Sequence, residues 1–181
     1  MVPSPRAPAQ GTAPSTGATG NEQATLVLIK PDAIQRGLVG AVLSRLEELR
    51  LELLGAKVVR VERALAEVHY QQLRDKPFFE EIVDYLQGTL HGTHYVLALV
   101  FWGADAIEQV RRLAGATHPE QAEPKSIRGA LGRMTTAGVM ENVLHASSDP
   151  QEADREIRLW FQPHELLPPP RQGARGGGAL R

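Results

Sequence analysis

His145 stands in the stretch Asn142 to Asp149, NVLHASSD, at the end of a short apolar run and just before a strong helix start. An imidazole delivered to a strand end and backed by a helix N-terminus can act on an anion, as nucleophile or as acid-base group. Glu156 follows eleven positions later, on the inward-facing pattern set by Ile157 and Trp160. From there a carboxylate can hold one ring nitrogen and leave the other free to attack, with Ser147 steadying the acid. Positioned cations are the second requirement, because a phosphoryl group in transfer spreads negative charge over its oxygens. Lys30, Arg111 and Arg128 are far apart in the chain but can converge, with Thr117 and Tyr70 as hydroxyl donors. Phe78 and Phe79 offer an aromatic plate for a base, against the ordinary alternative of core packing. The other five histidines, His69, His91, His94, His118 and His164, fall in expected helices or loops and are read as solvent-facing. His91-Gly-Thr-His94 has the gap of a metal grip but no third ligand beside it.

These side chains need elements to hold them. Ala24 to Ile29 (ATLVLI) is apolar without alternation, the mark of a strand buried on both faces, and Lys30-Pro31-Asp32 stops it, leaving Lys30 at its C-terminal edge. Gly37 to Leu54 places Val39, Val42, Leu43, Leu46, Leu49 and Leu53 at helical spacing, with Gly55 as the stop. Lys57 to Arg63 reads as a second strand, followed by a short helix through Tyr70 and Leu73 and another from Phe78 to Leu86. Tyr95 to Phe101 is a third strand, Asp105 to Leu113 a helix, Gly115 to Lys125 a polar loop and Asn142 to His145 a short fourth strand. Asp149-Pro150-x-Glu152 then supplies the cap, proline and acid that open a last helix. This order predicts an α+β fold of the ferredoxin-like βαββαβ kind. It implies a four-stranded antiparallel sheet with helices on one face, plus extra helices and a polar loop before the last strand.

The 181 residues suffice for one domain with a real core. With 42% apolar and 23% charged residues and a formal net charge of -1, the composition shows no bulk attraction to nucleic acid or acidic membrane, so anion binding must be local. The absence of cysteine excludes disulfides, thiolate metal sites and cysteine nucleophiles. The longest apolar run, Tyr95 to Trp102, is far short of the ~20 residues of a bilayer span, and the expected location is cytoplasmic. Residues 1–22 read as a disordered Pro/Ala/Gly-rich tail, too poor in arginine for an ordinary transit peptide. Residues 168–181 read as a disordered basic Gly/Pro-rich tail, and 23–167 as the domain between them. P-loop, dinucleotide-binding, metalloprotease and nucleophile-elbow signatures are all absent, so phosphate handling would proceed without a P-loop.

Taken in order, Lys30-Pro-Asp, Gln35-Arg36-Gly37-Leu38-Val39-Gly40, His69-Tyr70, Lys76-Pro77-Phe78-Phe79, Gly115-x-Thr117-x-Pro119, Ser126-Ile127-Arg128-Gly129, Asn142-Val-Leu-His145-Ala-Ser147 and Glu156-Ile157 before Trp160-Phe161 resemble nucleoside diphosphate kinases. The register runs from about Ala24 to Leu166. The resemblance implies a ping-pong phosphotransferase that passes the γ-phosphate of a nucleoside triphosphate such as ATP to His145 and then to a nucleoside diphosphate such as GDP. It implies Lys30, Tyr70, Arg111, Thr117 and Arg128 as phosphate ligands, Lys30 also near the sugar, Asn142 on the ribose, Phe78 on the base, and Glu156 with Ser147 orienting the histidine. It further implies Mg²⁺ carried in on the phosphates without protein ligands, and a homo-oligomer, hexamer or tetramer. No membrane and no specific nucleic acid is expected among the partners.

The chain departs from that pattern in three places, one of them at the histidine itself, where the usual His-Gly-Ser-Asp reads His145-Ala146-Ser147-Ser148. Gly88 to His94 carries about five extra residues before the third strand. Ala130 to Glu141 (ALGRMTTAGVME) replaces the usual Arg-Gly-Asp-Phe continuation and adds about four residues, with Glu141 where arginine is common. Val139 is the residue expected to close the other side of the base. An alternative reading keeps the fold but makes the chain a catalytically weakened nucleotide-binding regulator or scaffold. A ferredoxin-like RNA-binding module is disfavoured because YVLALVF lacks the aromatic and basic surface such modules display.

Overall fold

The computed structural model describes residues 21–170. The expectations for the two tails therefore fall almost wholly outside the described residues. Strand β1 (Glu22–Ile29) lies in the sheet interior, between β3 (Tyr95–Ala104) and the short β6 (Leu144–Ala146), while β2 (Glu52–Arg60) pairs with β3 at one edge. Every pairing is antiparallel. A separate two-stranded hairpin, β4 (Arg133–Met134) and β5 (Met140–Glu141), fills the lengthened approach to Asn142.

The unbroken apolar run of β1 decides how the helices are placed. Leu26 and Leu28 enter one buried cluster and Val27 and Ile29 the other, so both faces of the sheet must be covered. Helices α3 (Arg63–His69), α4 (Phe79–Gln87) and α7 (Pro150–Trp160) cover the first face. Helices α1 (Pro31–Gln35), α2 (Val39–Glu47), α5 (Ala106–Ala114) and α6 (Ile127–Leu131) cover the second. Helices on one face only, the arrangement expected from the order of elements, is thus corrected. Four strands with two apolar faces would otherwise leave one core open to water.

A second correction concerns Gly37 to Leu54. The helix ends at Glu47, the chain reverses at Arg50 with φ of 54°, and Leu53 to Gly55 already belong to β2, where a bulge shifts the register. Gly55 is not a helix stop: a Cβ there would sit 2.7 Å from Leu166 Cδ2 and 3.1 Å from Phe161 Cε1, so the glycine lets the segment after α7 pack against β2. Helix α7 opens as expected, the Asp149 carboxylate accepting from the Glu152 backbone N–H at 2.9 Å, with Pro150 in the first turn. No helix among the described residues is long and apolar enough to cross a membrane.

Candidate active site

Register delivers His145 to the right face. It lies directly opposite Leu28, and paired residues of an antiparallel ladder point to the same side, so the imidazole faces α3 and α7. A slip by one residue would turn it to the other core. The strand is aimed by a strained turn just before it. Val143 has φ of 70°, and the Leu144 N–H donates to Asn142 O at 2.7 Å, which makes Asn142 to Leu144 a γ-turn that a β-branched residue rarely adopts. Its backbone is held from both sides: Val143 N–H donates to the fully buried Asp32 Oδ2 at 3.1 Å, and Lys30 N–H donates to Val143 O at 2.9 Å.

Behind the imidazole, Glu156 is buried on α7. Its Oε1 is 2.9 Å from His145 Nε2, at ion-pair distance though off the hydrogen-bond axis, and its Oε2 accepts from Ser147 Oγ at 2.6 Å. Ser147 Oγ in turn accepts from the Leu26 N–H at 3.1 Å, so this acid is tied to the central strand. Burial pushes the Glu156 carboxyl upward, with His69 and Ser147 pulling the other way. Burial, reinforced by Lys30 and Arg128, holds His145 well below the ordinary histidine value, so the ring is neutral at pH 7. With Nε2 turned to the carboxylate, Nδ1 is the nitrogen carrying a free lone pair.

His69 is the main surprise. Read as solvent-facing, it is fully buried at the end of α3, its ring edge-on to His145 with centroids 4.4 Å apart. Trp160 Nε1–H donates to its Nδ1 at 3.2 Å, which leaves the neutral tautomer protonated on Nε2. Desolvation and the neighbouring His145 keep it uncharged. Arg155 donates to the Val68 and His69 carbonyls at 3.1 and 2.9 Å, closing the C-terminus of α3 against α7. His69, His145 and Glu156 gather closely enough to suggest a metal site, but Ser147 and Trp160 already engage Glu156 and His69 through hydrogen bonds. His91 is also buried, against expectation, whereas His94 and His164 are exposed.

In front of His145 is a cavity of about 600 Å³. Lys30, Tyr70, Phe78, Arg111, Thr117, Arg128 and Asn142 all line it, so residues scattered over more than a hundred positions do converge. Lys30 Nζ donates to Asn142 Oδ1 at 2.7 Å and sits 4.8 Å from the centre of the Tyr85 ring. Burial and the Arg128 charge lower its pKa to about 7. Arg128 donates to Gly115 O at 2.7 Å and Leu144 O at 3.0 Å, bracing the loop after α5 against β6. Its own pKa is lowered by burial and by Arg111. Gly115, with φ of 84°, carries no Cβ because Ser126 Oγ occupies that space. Asn142 Nδ2 donates to Thr117 O at 3.2 Å and the Asn142 N–H to Tyr85 Oη at 3.0 Å. Phe78 is 44% exposed at the cavity mouth while Phe79 is buried in the core, which separates the plate from the packing residue. Val139 does not line this cavity; its neighbour Met140 does. Val139 lies in the hairpin turn, its N–H donating to Thr135 Oγ1 at 3.0 Å, and the strand that reaches the cavity begins only at Met140. Tyr85, Asp32 and Arg155 were missed as well, since a lone tyrosine, aspartate or arginine on a helix has no spacing that marks it.

Residues 23–166 match the family model for nucleoside diphosphate kinase. The nucleoside diphosphate kinase of Pyrococcus horikoshii is 45% identical over 147 residues, 81% of this chain and 90% of that protein. That of Symbiobacterium thermophilum is 46% identical over 137 residues, 76% and 85% of the two. Among solved structures, a nucleoside diphosphate kinase from Halobacterium salinarum in complex with CDP superposes with a TM-score of 0.74 at 38% identity, covering 84% of this chain and 95% of that one. A transition-state mimic of the Borrelia burgdorferi enzyme with bound vanadate and ADP gives 0.73 at 33% identity, over 83% and 94%.

Proposed function

This chain belongs to the nucleoside diphosphate kinase family, and from that premise we propose that His145 is the residue through which it transfers phosphate. In the first half-reaction Nδ1 attacks the γ-phosphorus of a nucleoside triphosphate such as ATP; the N–P bond forms as the bond to the β-phosphate oxygen breaks, and the diphosphate leaves. In the second, a β-phosphate oxygen of another nucleoside diphosphate, such as GDP, attacks the same phosphorus and the imidazole departs. The proton on Nε2 stays beside Glu156 throughout, so the carboxylate balances the charge that the ring gains on phosphorylation. Lys30, Arg111 and Arg128, with the Thr117 and Tyr70 hydroxyls, supply donors to the phosphate oxygens. Asn142 takes the sugar together with Lys30, and Phe78 stacks on the base, a contact that every base can make.

The observation that carries this reading is the neutral, partly buried His145 with Glu156 Oε1 2.9 Å behind it and a cation-lined cavity in front. Among the described residues lining that cavity Glu81 is the one carboxylate. Such a donor set fits a Mg²⁺ that enters on phosphate oxygens rather than in a protein cage, and that ion would neutralise part of the phosphate charge. We extend the reading to a homo-oligomer, tetramer or hexamer, working in the cytoplasm. The exposed Leu53 and Val58, 47% and 67% accessible on the edge strand β2, favour self-association, and light scattering on the purified chain would test it. Incubation with labelled ATP and Mg²⁺ should give an acid-labile phosphate that GDP discharges and that His145→Ala abolishes. A folded protein that takes no label would instead be a nucleotide-binding regulator, and label surviving in the variant would refute the assignment of His145.

A further inference from the structure

Glu141 is a buried carboxylate, 3% exposed, with no part in the chemistry described above. Three basic side chains from three separate parts of the chain meet on it. Arg133 Nε donates to Oε2 at 2.6 Å from the opposite hairpin strand. Arg36 Nη1 reaches Oε2 at 3.5 Å from the end of α1. His91 Nε2 lies 3.2 Å from Oε1, in the turn between α4 and β3, where it is itself buried and its backbone carbonyl accepts from Gln35 Nε2 at 2.8 Å. The turn at 88–94 and the hairpin segment 130–141 are thus joined to each other by one carboxylate.

The hairpin needs such a joint. Its ladder has two residue pairs, Arg133 with Glu141 and Met134 with Met140, and so short a ribbon has little stability of its own. Yet its last strand ends at the cavity: Met140 lines the wall, and Asn142, next to Glu141, holds Lys30. Building on the phosphotransfer reading, we propose that Glu141 is a positioning residue for the nucleotide, fixing β5 through Arg36, His91 and Arg133 so that Met140 walls the base and sugar side of the cavity and Asn142 meets Lys30. Removing its charge loosens that wall and leaves in place the phosphate-transferring groups, which hang on β1, α5, α6 and α7 and, for His145, on β6, held by its own pairing with β1.

The test compares the full-length protein with Glu141→Gln, Glu141→Asp and His91→Gln. Each is followed by steady-state kinetics with ATP and several diphosphates, and by calorimetric binding of ADP. The loss of one charged hydrogen-bond set predicts a rise of about tenfold in KM and in the ADP dissociation constant for Glu141→Gln, with kcat changed by less than about twofold. Glu141→Asp should recover part of the loss. His91→Gln, which removes one arm and is the fallback if Glu141→Gln does not fold, should raise KM by about threefold and add nothing further in the double variant. Unchanged KM and ADP affinity in folded Glu141→Gln, or a loss confined to kcat, overturns the proposal. ADP binding reads this proposal even in a protein that transfers no phosphate, whereas failure of the wild-type protein to take label from ATP bears on the phosphotransfer reading alone.

Discussion

Replacing Glu156 by glutamine keeps the volume of a fully buried side chain and changes only what its two polar atoms can do. In the native protein Oε1 faces His145 Nε2 at 2.9 Å while Oε2 accepts from Ser147 Oγ at 2.6 Å. A glutamine has one acceptor and one donor for those two positions. If its oxygen faces Ser147, its NH₂ points at Nε2 and drives the imidazole proton to Nδ1, where it blocks attack on phosphorus. If its oxygen faces His145, Ser147 loses its acceptor, and the neutral amide no longer offsets the charge that the phosphorylated ring carries. Either orientation replaces a charged acceptor by a neutral amide, a change worth about 1.5 to 3 kcal/mol, or roughly 10- to 150-fold in the rate of histidine phosphorylation. Rapid-quench labelling with ATP reads that step directly, and a urea melt verifies that the fold survives. Native-like phosphorylation in folded Glu156→Gln would refute the argument that the carboxylate sets the tautomer and balances the charge.

Asp32→Ala removes the acceptor of the Val143 N–H beneath a strained γ-turn; stability should fall by about 2 to 3 kcal/mol in a urea melt and labelling of His145 should slow, because the turn that aims β6 relaxes. Lys30 has a pKa of about 7 in the free protein, and phosphate oxygens beside it favour its charged form. Nucleotide binding should therefore take up a proton above neutral pH, which titration calorimetry in buffers of different ionisation enthalpy measures and Lys30→Met abolishes. For His145 the shift runs downward, so the rate of phosphorylation should stay level as the pH falls through 6.5 and drop only in more acid solution, a profile accessible to the same quench experiment. Gly55→Ala puts a methyl group against Leu166 and Phe161; it should cost about 1 to 3 kcal/mol of stability without altering the phosphorylation rate at a temperature where the variant is folded.

Much of this site was legible in local sequence, because its parts obey local rules. The break at Pro31 leaves Lys30 at a strand end, Asp149 and Pro150 open α7 four and five residues after His145, and the 3.6-residue period of α7 turns Glu156 inward with Ile157 and Trp160. What local rules could not decide was which face each element presents to which partner. The pairing of His145 with Leu28 brings the buried His69 edge-on to the reacting ring, a contact between residues 76 positions apart that no spacing encodes. The unbroken apolar run of β1 announced burial on both faces, yet only the packed helices revealed that both are covered. The same holds for Val139 and Met140, where the register of a two-pair hairpin chose the wall of the cavity. The sequence by itself determined the family, the end of β1 at Pro31 and the cap that opens α7, since these rest on residue types at fixed short spacings. Tertiary structure alone decided the γ-turn at Val143, the tautomer of His69 and the charge cluster on Glu141, since each depends on groups from distant segments meeting within hydrogen-bonding distance.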